Sequence, residues 1–488
     1  MIKTAEEAPK ADLWIGGAPR EAASGKRYQV IEPTYGKVLA NVADAGPEDV
    51  EAAVVAAEQA LTKTGWSEML PFARATVLRK FADNIRTHLD ELAILETRNN
   101  GQPIMESKTQ VGAAATLLDF YAGLAPSLQG ASPAMGPDLL DYTRREPYGV
   151  VGLIVPFNAP VFTVAMKAAP ALAVGNAVIV KPSPYTPLTA LRMAELGRAA
   201  GIPDGLFNVL PASNPATGQA LVQHPRVPKI SFTGSSTTGA AILAAGAPQM
   251  KRITLELGGK SANIICPDVD LETAVTGSVY FSMFRSAGQI CTHRTRVFVP
   301  KGLLNRFVDA FVEAIKGLRI GDPLTDGTQV GPLVSTQQRA RVKGYVAEAT
   351  KEGNSPLYGG KELVLREFPE GCFFEPTVFV DVPDSARIAR DEVFGPVACI
   401  FSYGDVDEAV RRANDTMYGL AATVWSRDVG AAIRIANRLQ AGNVSINQAP
   451  VIYPWAPFGG YKQSGLGVEM GIDAIREYVQ TKNVMLKI

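Results

Sequence analysis

The sequence has few histidines, no paired cysteines and no excess charge. Its 488 residues include three His and four Cys, and Cys266, Cys291, Cys372 and Cys399 are widely spread with no CxxC pair. This spacing argues against a disulfide framework and against a zinc cage, and so few histidines argue against a histidine-rich metal site. We expect no metal, so any catalysis must use a thiol, a carboxylate, an amide or a lysine.

The charge balance is even and no apolar run is long. Lys+Arg and Asp+Glu number 48 each, so no net field would attract nucleic acid or an anionic membrane. The start, MIKTAEEAPKADLW, has no apolar core behind a basic segment, and GVVGLIVPF is far shorter than the roughly 20 residues that a spanning helix needs. We expect a cytoplasmic protein whose partners are small molecules or copies of itself, with no nucleic acid and no membrane.

The chain is too long for one hydrophobic core, so two or three domains are expected. In the N-terminal third, apolar residues recur at helical spacing and predict two amphipathic segments. The first stripe is Val50, Ala53, Val54, Ala57 and Leu61, and the second is Val77, Phe81, Ala82, Ile85 and Leu89, continued by Leu92 and Ala93. We therefore expect this third to be helical and to pack on another layer.

From residue 149, short apolar runs alternate with helical segments. The runs are VVGLIV (150–155), AVIV (177–180), LFNVL (206–210), KISF (229–232) and ITLEL (253–257). Strands this apolar are covered on both faces, and their regular alternation with helices predicts right-handed βαβ crossovers in a parallel sheet. Such a doubly wound sheet binds nucleotides outside the carboxyl ends of its strands.

A second α/β segment follows at roughly 259–460. Its strands are suggested by RTRVFV, PTVFVDV, VACIFSY and AATVWS. The chain ends in NVMLKI, an alternating strand without an obvious local partner. This strand could pair with another protomer or dock on its own chain.

Polar residues follow several of the predicted strands. Asn158 in PFNAP could polarise a carbonyl or simply form a turn, and Lys181 in KPSP could bind a ribose or phosphate or be a solvated charge. Gly234 and Ser235 in FTGSSTTG stand at a strand-to-helix turn, where free N–H groups favour a phosphate. This pattern is looser than GxGxxG, and its position in the βαβ series gives it weight.

The run ELGGKS (256–261) superficially resembles the end of a P-loop. A P-loop would need glycine at position 254, where this sequence has Thr254, so the nucleoside-triphosphate interpretation fails. Glu256 remains, at an apolar strand end where a carboxylate is costly without a role or a partner. It is a candidate general base.

The segment GQICTHRTR (288–296) contains the candidate nucleophile, Cys291. A lone cysteine is more often an inert buried residue, but the polar run before it indicates a turn that reaches into a cleft. His293 would point to the opposite face of an extended segment. A direct cysteine–histidine dyad is therefore disfavoured.

These residues together resemble the aldehyde dehydrogenase superfamily, specifically its NAD(P)-dependent, non-acylating members, over nearly the whole chain. TLELGGKS resembles the general-base signature of that family, and GQICTHRTRVFV resembles the segment around its catalytic cysteine. PFNAP, KPS, FTGS, DEVFGPV, NDTMYGLAATVWSRD and PFGGYKQSGLG match further blocks in the same order.

The resemblance implies an α/β fold with three parts. A doubly wound, Rossmann-like coenzyme domain would comprise 1–128 and 149–258, and an α/β catalytic domain 259–460. A small β oligomerisation ribbon and C-terminal tail would comprise 129–148 and 461–488, with NVMLKI added to a neighbour's sheet. The family implies a homodimer or a homotetramer.

The resemblance also implies the chemistry. Cys291 would attack the aldehyde, Asn158 and the Cys291 backbone N–H would hold the oxyanion, and Glu256 would activate the water that releases the carboxylic acid from a thioester. The implied cofactor-binding residues are Pro156, Phe157, Lys181, Ser183, Gly234, Ser235, Leu257, Glu392 and Phe394. Many NAD-preferring relatives have Glu where this chain has Pro184, so we expect NAD to be favoured and NADP to be accepted.

The substrate end is less constrained. The residues implied to contact substrate are Arg285, Ile290, Tyr453, Trp455 and Phe458. Aromatic walls and the small Ala159 favour medium-chain or aromatic aldehydes. Arg285 could recognise a substrate carboxylate, which would indicate a semialdehyde dehydrogenase, but solvation of its side chain is favoured. A coenzyme-A-acylating enzyme, which tends to lack the activating Glu, and a non-enzymatic binding or structural protein on the same fold are less favoured interpretations.

Overall fold

The computed structural model describes residues 8–449 and 451–488. Five short strands precede the first helix: β1 (Lys10–Ala11), β2 (Leu13–Ile15), β3 (Ala18–Arg20), β4 (Arg27–Glu32) and β5 (Lys37–Ala43). Four helices follow: α1 (Pro47–Thr64), α2 (Pro71–Thr87), α3 (Leu89–Asn100) and α4 (Ile104–Leu124). The helical interpretation of the N-terminal third was therefore wrong for residues 10–43, where three of the five strands have only two or three residues and cannot display a period.

The two apolar stripes form inner helix faces. Val50, Ala53, Val54 and Ala57 are fully buried on α1, and Phe81, Ala82 and Ile85 are buried on α2. The helix α1 begins at a proline in its first turn, where the missing N–H costs nothing, and ends at Gly65 in the left-handed region with φ 62°.

The next segment alternates strands and helices. Its elements are β6 (Leu139–Pro147), β7 (Val150–Ile154), α5 (Pro160–Ala173), β8 (Ala177–Lys181), α6 (Leu188–Ala199), β9 (Phe207–Val209), α7 (Pro215–Gln223), β10 (Lys229–Thr233), α8 (Ser236–Gly246) and β11 (Arg252–Glu256). All five apolar runs form strands that pair in parallel. The strand prediction for this part is confirmed.

A second α/β unit follows. Its elements are β12 (Ala262–Ile265), α9 (Leu271–Thr276), β13 (Arg296–Pro300), α10 (Leu304–Lys316), α11 (Thr336–Lys351), β14 (Thr377–Val380), α12 (Arg387–Arg390), β15 (Val397–Tyr403), α13 (Val406–Asn414), β16 (Ala421–Trp425), α14 (Val429–Ala436), β17 (Asn443–Ile446), β18 (Gly465–Leu466), α15 (Gly471–Ala474) and β19 (Val479–Lys487). The four predicted strands are present, and the prediction missed β12 and β17.

The strand order explains where a ligand can bind. The first sheet has the order β18-β11-β10-β7-β8-β9-β2-β3, so the chain runs from β7 to β9 in one direction and then returns to place β10 and β11 on the other side of β7. The crevice at the carboxyl ends of β7 and β10 is thus the switch point of a doubly wound sheet. The second sheet, β14-β15-β13-β12-β16-β17, is parallel throughout.

Each large sheet has its own apolar core. The first core contains the buried side chains of α1–α6 and of the eight-stranded sheet, and the second contains those of the six-stranded sheet. Cys291 precedes a strand of the second sheet, yet its side chain packs against the first core. The thiol therefore lies where the two cores meet.

The C-terminal strand has a partner in its own chain. Strands β6 and β19 form an antiparallel ribbon in which Val479 lies opposite Pro147 and Lys487 lies opposite Leu139. Of the two arrangements left open by the sequence, docking on its own chain is observed, and the pairing joins the two segments assigned to the ribbon. Among the described residues, no helix is both long enough and apolar enough to cross a membrane.

Candidate active site

A cavity of about 710 Å³ lies at the switch point of the first sheet. Asn158 and Cys291 both line it. All of the residues implied to bind the cofactor also line it, namely Pro156, Phe157, Lys181, Ser183, Gly234, Ser235, Leu257, Glu392 and Phe394. The structure thus brings eleven residues from separate stretches of sequence to one cleft.

One end of the cavity suits a ribose and a pyrophosphate. Ser235 caps α8, with its hydroxyl accepting from the Thr238 N–H at 3.2 Å, so the first turn of the helix directs its remaining N–H groups at the cleft. Lys181 ends β8, and burial lowers the pKa of its ammonium to about 8 while the charge of Asp44 opposes this shift. A bound anionic dinucleotide would favour the charged form of that ammonium and so raise its pKa.

The other end of the cavity is more apolar. The Phe157 ring packs edge-to-face on Tyr185 and Phe394, with ring centroids 6.0 and 5.5 Å apart. Glu392 accepts a hydrogen bond from the Gly259 N–H at 3.0 Å, and burial raises the pKa of its carboxyl to about 7. Phe394 has φ 58°, an unusual conformation for a residue with a side chain and one that is often retained at functional sites.

A strained loop presents Cys291. Ser286 and Ala287 have φ 51° and 52°, and the buried Gln289 side chain fixes the loop by accepting from the Val334 N–H at 3.0 Å. Gly259, just beyond β11, passes so close that a Cβ there would lie 2.8 Å from the Cys291 carbonyl oxygen. A side chain at position 259 would therefore displace the backbone of Cys291.

The thiol is strongly disfavoured as a thiolate in the protein alone. Burial raises the pKa of Cys291 to about 12, and the nearby carboxylates of Glu392 and Glu256 add to the increase. A positive charge in the cleft would act in the opposite direction.

His293 is not positioned as a base for the thiol. Its side chain is buried, and neither ring nitrogen has a hydrogen-bond partner among the described residues. Burial, with the charges of Arg285 and Arg294, keeps the pKa of the imidazole well below its usual value. It is therefore neutral at pH 7.

Glu256 ends β11 with a buried carboxyl group. It is 2% exposed, and within the described part of the chain neither carboxyl oxygen has a partner. Burial raises the pKa of this carboxyl well above its ordinary value; the charge of Glu469 adds to the increase and that of Lys167 reduces it. An unsatisfied buried carboxyl is costly, and its chemistry is that of a base which takes up a proton readily.

A buried polar cluster stands close enough to influence Glu256, and the sequence analysis missed it. Lys167 Nζ donates to the carboxylate of Glu469 at 2.8 Å and to the hydroxyl of Ser231 at 2.7 Å, and Ser231 Oγ donates to the same carboxylate at 2.6 Å. Both members of the ion pair are fully buried. The available signal was Lys167 itself, the only charged residue in the otherwise apolar helix α5.

The residues implied to contact substrate do not share one surface. Tyr453 and Phe458 line a second cavity of about 250 Å³ together with Thr292 and Arg294. Trp455 is 59% exposed and stacks on Tyr453 with ring centroids 5.3 Å apart. It lines neither of these two cavities.

Ile290 is half-buried beside the nucleophile. Arg285 is 19% exposed and lies 3.5 Å from the Glu106 carboxylate. The sequence had favoured a solvated Arg285 side chain. In the structure its guanidinium is not freely solvated, because the side chain is mostly buried and has an acidic partner.

A doubly wound sheet with a cavity at its switch point is the arrangement in which dinucleotides bind, and here that cavity also holds a cysteine. The family model described as "Aldehyde dehydrogenase family" matches residues 20–484. The chain belongs to this family, whose members act on aldehydes.

Solved structures agree with this assignment. An aldehyde dehydrogenase from Bacillus cereus, solved as an NAD⁺ complex, is 39% identical with a TM-score of 0.95, covering 98% of this chain and 97% of that one. Betaine aldehyde dehydrogenase from Staphylococcus aureus, solved with NAD⁺ and an unmodified cysteine, is 36% identical with a TM-score of 0.95, covering 97% and 94%. The likeness therefore extends over the whole fold.

Proposed function

We propose that this protein oxidises aromatic or medium-chain aldehydes to carboxylic acids with NAD, through a thioester on Cys291. The observation that carries the proposal is that Cys291 and Asn158 line the same cavity as the residues suited to a dinucleotide. The buried carboxyl of Glu256 supports it as well, because it has no hydrogen-bond partner among the described residues and is close enough to the thiol for its charge to raise the pKa of Cys291.

The residues divide the reaction into two steps. The Cys291 thiolate forms a C–S bond with the aldehyde carbon, and the Asn158 amide and the Cys291 N–H donate to the resulting oxyanion. When bound, NAD supplies the acceptor for the hydride lost from that carbon. Glu256 then takes a proton from water, whose oxygen attacks the thioester; the C–S bond breaks and the carboxylic acid leaves.

The cofactor preference follows from the adenosine end of the cavity. Pro184 lines it where an acidic side chain would exclude a 2′-phosphate. Asp44 accepts from the N–H and the hydroxyl of Ser213 at 2.8 and 2.6 Å, and Ser213 lines the cavity. A carboxylate therefore remains near this end, which supports NAD as the favoured cofactor with NADP accepted.

The first test is reduction of NAD and NADP in parallel by the purified protein, with aliphatic, aromatic and carboxylate-bearing aldehydes. We expect turnover with NAD to exceed that with NADP. A Cys291→Ala variant should lose turnover and still bind the cofactor. Normal turnover by that variant, or no reduction with any aldehyde by the unaltered protein, would refute the proposal.

The domain assignment and the self-association are part of the same proposal. The coenzyme domain is 1–128 with 149–258, the catalytic domain is 259–460, and the segments 129–148 and 461–488 associate copies of the chain as a dimer or tetramer. An isolated two-stranded ribbon is marginally stable in water, and one face of this ribbon is apolar. That face carries Leu140, Tyr142, Val484 and Leu486 in two cross-strand pairs.

Light scattering tests the association. Leu486→Lys places a charge on the apolar face and should shift the protein toward monomer, whereas Asn483→Lys on the opposite face provides the matched control. Equal molar masses for the two variants would contradict a role for this face.

A further inference from the structure

We propose that Arg294 and Thr292, beside the nucleophile, bind the carboxylate of a substrate that carries one in addition to its aldehyde group. The proposal deepens the proposed function, on which it rests, by naming the second functional group of the substrate. It assigns that recognition to Arg294 instead of to Arg285.

Arg285 already has an acidic partner. Its guanidinium lies 3.5 Å from the Glu106 carboxylate, and the two side chains are 19% and 12% exposed. A substrate carboxylate would have to displace Glu106 or accept its repulsion at close range. Repulsion between two carboxylates is strong in a partly buried site, so binding of a substrate carboxylate at Arg285 is disfavoured.

Arg294 has no such partner within the described part of the chain. Its side chain is 2% exposed. It donates through Nε to the Thr423 hydroxyl at 3.0 Å, through Nη1 to the Thr292 carbonyl, and through Nη2 to the Ala422 carbonyl at 3.3 Å. These three acceptors are neutral, and a guanidinium has five N–H groups. The buried charge is therefore uncompensated, which is costly unless an anion binds there.

The cavity of about 250 Å³ gives an anion access to this charge. Arg294 and Thr292 line it. The Thr292 hydroxyl is buried without a hydrogen-bond partner among the described residues, so a second donor is available beside the guanidinium. Phe458 and Tyr453 supply apolar walls to the same cavity. A charged end and an aromatic wall together suit a carboxylate on a ring or short alkyl chain.

The cavity is close to the reacting atom. Thr292 follows Cys291 directly in the chain, and Cys291 is close enough to Arg294 that an ionised thiol would raise the pKa of the guanidinium, which burial lowers. Three residues span at most about 10 Å of backbone. The proposal therefore requires a short spacer, such as a benzene ring or a short alkyl chain, between the aldehyde carbon and the carboxylate of the substrate.

The test compares matched aldehydes with and without the carboxylate: 4-carboxybenzaldehyde against benzaldehyde, and 6-oxohexanoate against hexanal. The unaltered protein should have the higher kcat/KM for the carboxylated member of each pair. Arg294→Met should reduce the ratio of the two kcat/KM values roughly 10- to 100-fold, as expected for a lost hydrogen bond to a charged group. Arg285→Met, the matched substitution at the paired arginine, should leave the ratio unchanged.

Two further variants guard against misfolding. Arg294→Lys should retain part of the ratio because the charge remains, and Thr292→Val, which changes only the hydroxyl, should lower it roughly 3- to 10-fold. If Arg294→Met slows both aldehydes of a pair alike and leaves the ratio of their kcat/KM values unchanged, Arg294 has only a structural role. That result would overturn the proposal. A ratio that falls with Arg285→Met instead would also overturn it.

A binding measurement separates this proposal from the proposed function. Terephthalate, which has two carboxylates and no aldehyde, should protect Cys291 of the unaltered protein from alkylation by iodoacetamide and should fail to protect Arg294→Met. Protection without oxidation of any aldehyde would refute the proposed function and support the subsite. Oxidation of aldehydes without protection by terephthalate would support the proposed function and refute the subsite.

Discussion

The buried pair of Lys167 and Glu469 allows a quantitative test of how the site controls its base. Both side chains are fully buried and lie 2.8 Å apart, so removing either one leaves an unpaired charge in the core. Such a change lowers the free energy of unfolding by about 3–5 kcal/mol. For a unit of about 200 residues, this corresponds to a fall of roughly 6–20 °C in Tm. The double variant Lys167→Met/Glu469→Gln removes both charges and should recover most of that loss.

The two single variants should shift the pH dependence of turnover in opposite directions. In the proposed mechanism Glu256 takes up a proton, so activity should rise with pH through the pKa of its carboxyl. The charge of Glu469 raises that pKa and the charge of Lys167 lowers it. Glu469→Gln should therefore move the rising limb to lower pH, and Lys167→Met should move it to higher pH.

Steady-state rates and thermal unfolding, measured on the same preparations from pH 5 to 10, provide both readouts. A purely structural pair would lower Tm without separating the two pH profiles. Shifts of the same sign in both variants would refute the electrostatic reasoning, and a double variant as unstable as the singles would refute the pairing argument.

Three further predictions concern the catalytic residues. Glu256→Gln should still give a burst of NAD reduction, with steady-state turnover lowered by about 10²- to 10⁴-fold; loss of the burst as well would assign Glu256 to the first step. Alkylation of Cys291 without cofactor should rise about tenfold per pH unit from pH 7 to 10, because its pKa is about 12, and a plateau below pH 9 would contradict this. Asn158→Ala should lower kcat by about 10²- to 10³-fold with little change in cofactor affinity, which titration of the cofactor would check.

The parts of the fold that sequence could predict are those whose residues carry a local signal. The strands β7, β8 and β10 are continuous apolar runs with polar residues at their ends, and these features depend only on neighbours along the chain. The short strand β2 gives no comparable pattern, because three residues cannot display a period. Its place in the sheet is set by tertiary pairing, in which Trp14 lies opposite Val209.

The candidate site shows the same limit. Cys291 and Glu256 stand in distinctive local sequences, so a pattern could identify them. Lys167 and Glu469 are 302 residues apart in the chain, and nothing in either neighbourhood states that they pair. The difference between Arg285 and Arg294 is likewise a difference of partners, which only the folded chain reveals.

The two strands of the ribbon, β6 and β19, are synthesised far apart in time. Residues that bond across it, such as Glu146 and Lys482, are 336 positions apart. At 5–20 residues per second, β6 leaves the ribosome about 20–70 s before its partner. Throughout that interval the edge of β6 that pairs with β19 has no partner, and an unpaired strand edge can join the edge of another nascent chain. The residues of β19 therefore complete the ribbon and cover the exposed edge of β6. A chain that stopped shortly before them would remain prone to aggregation.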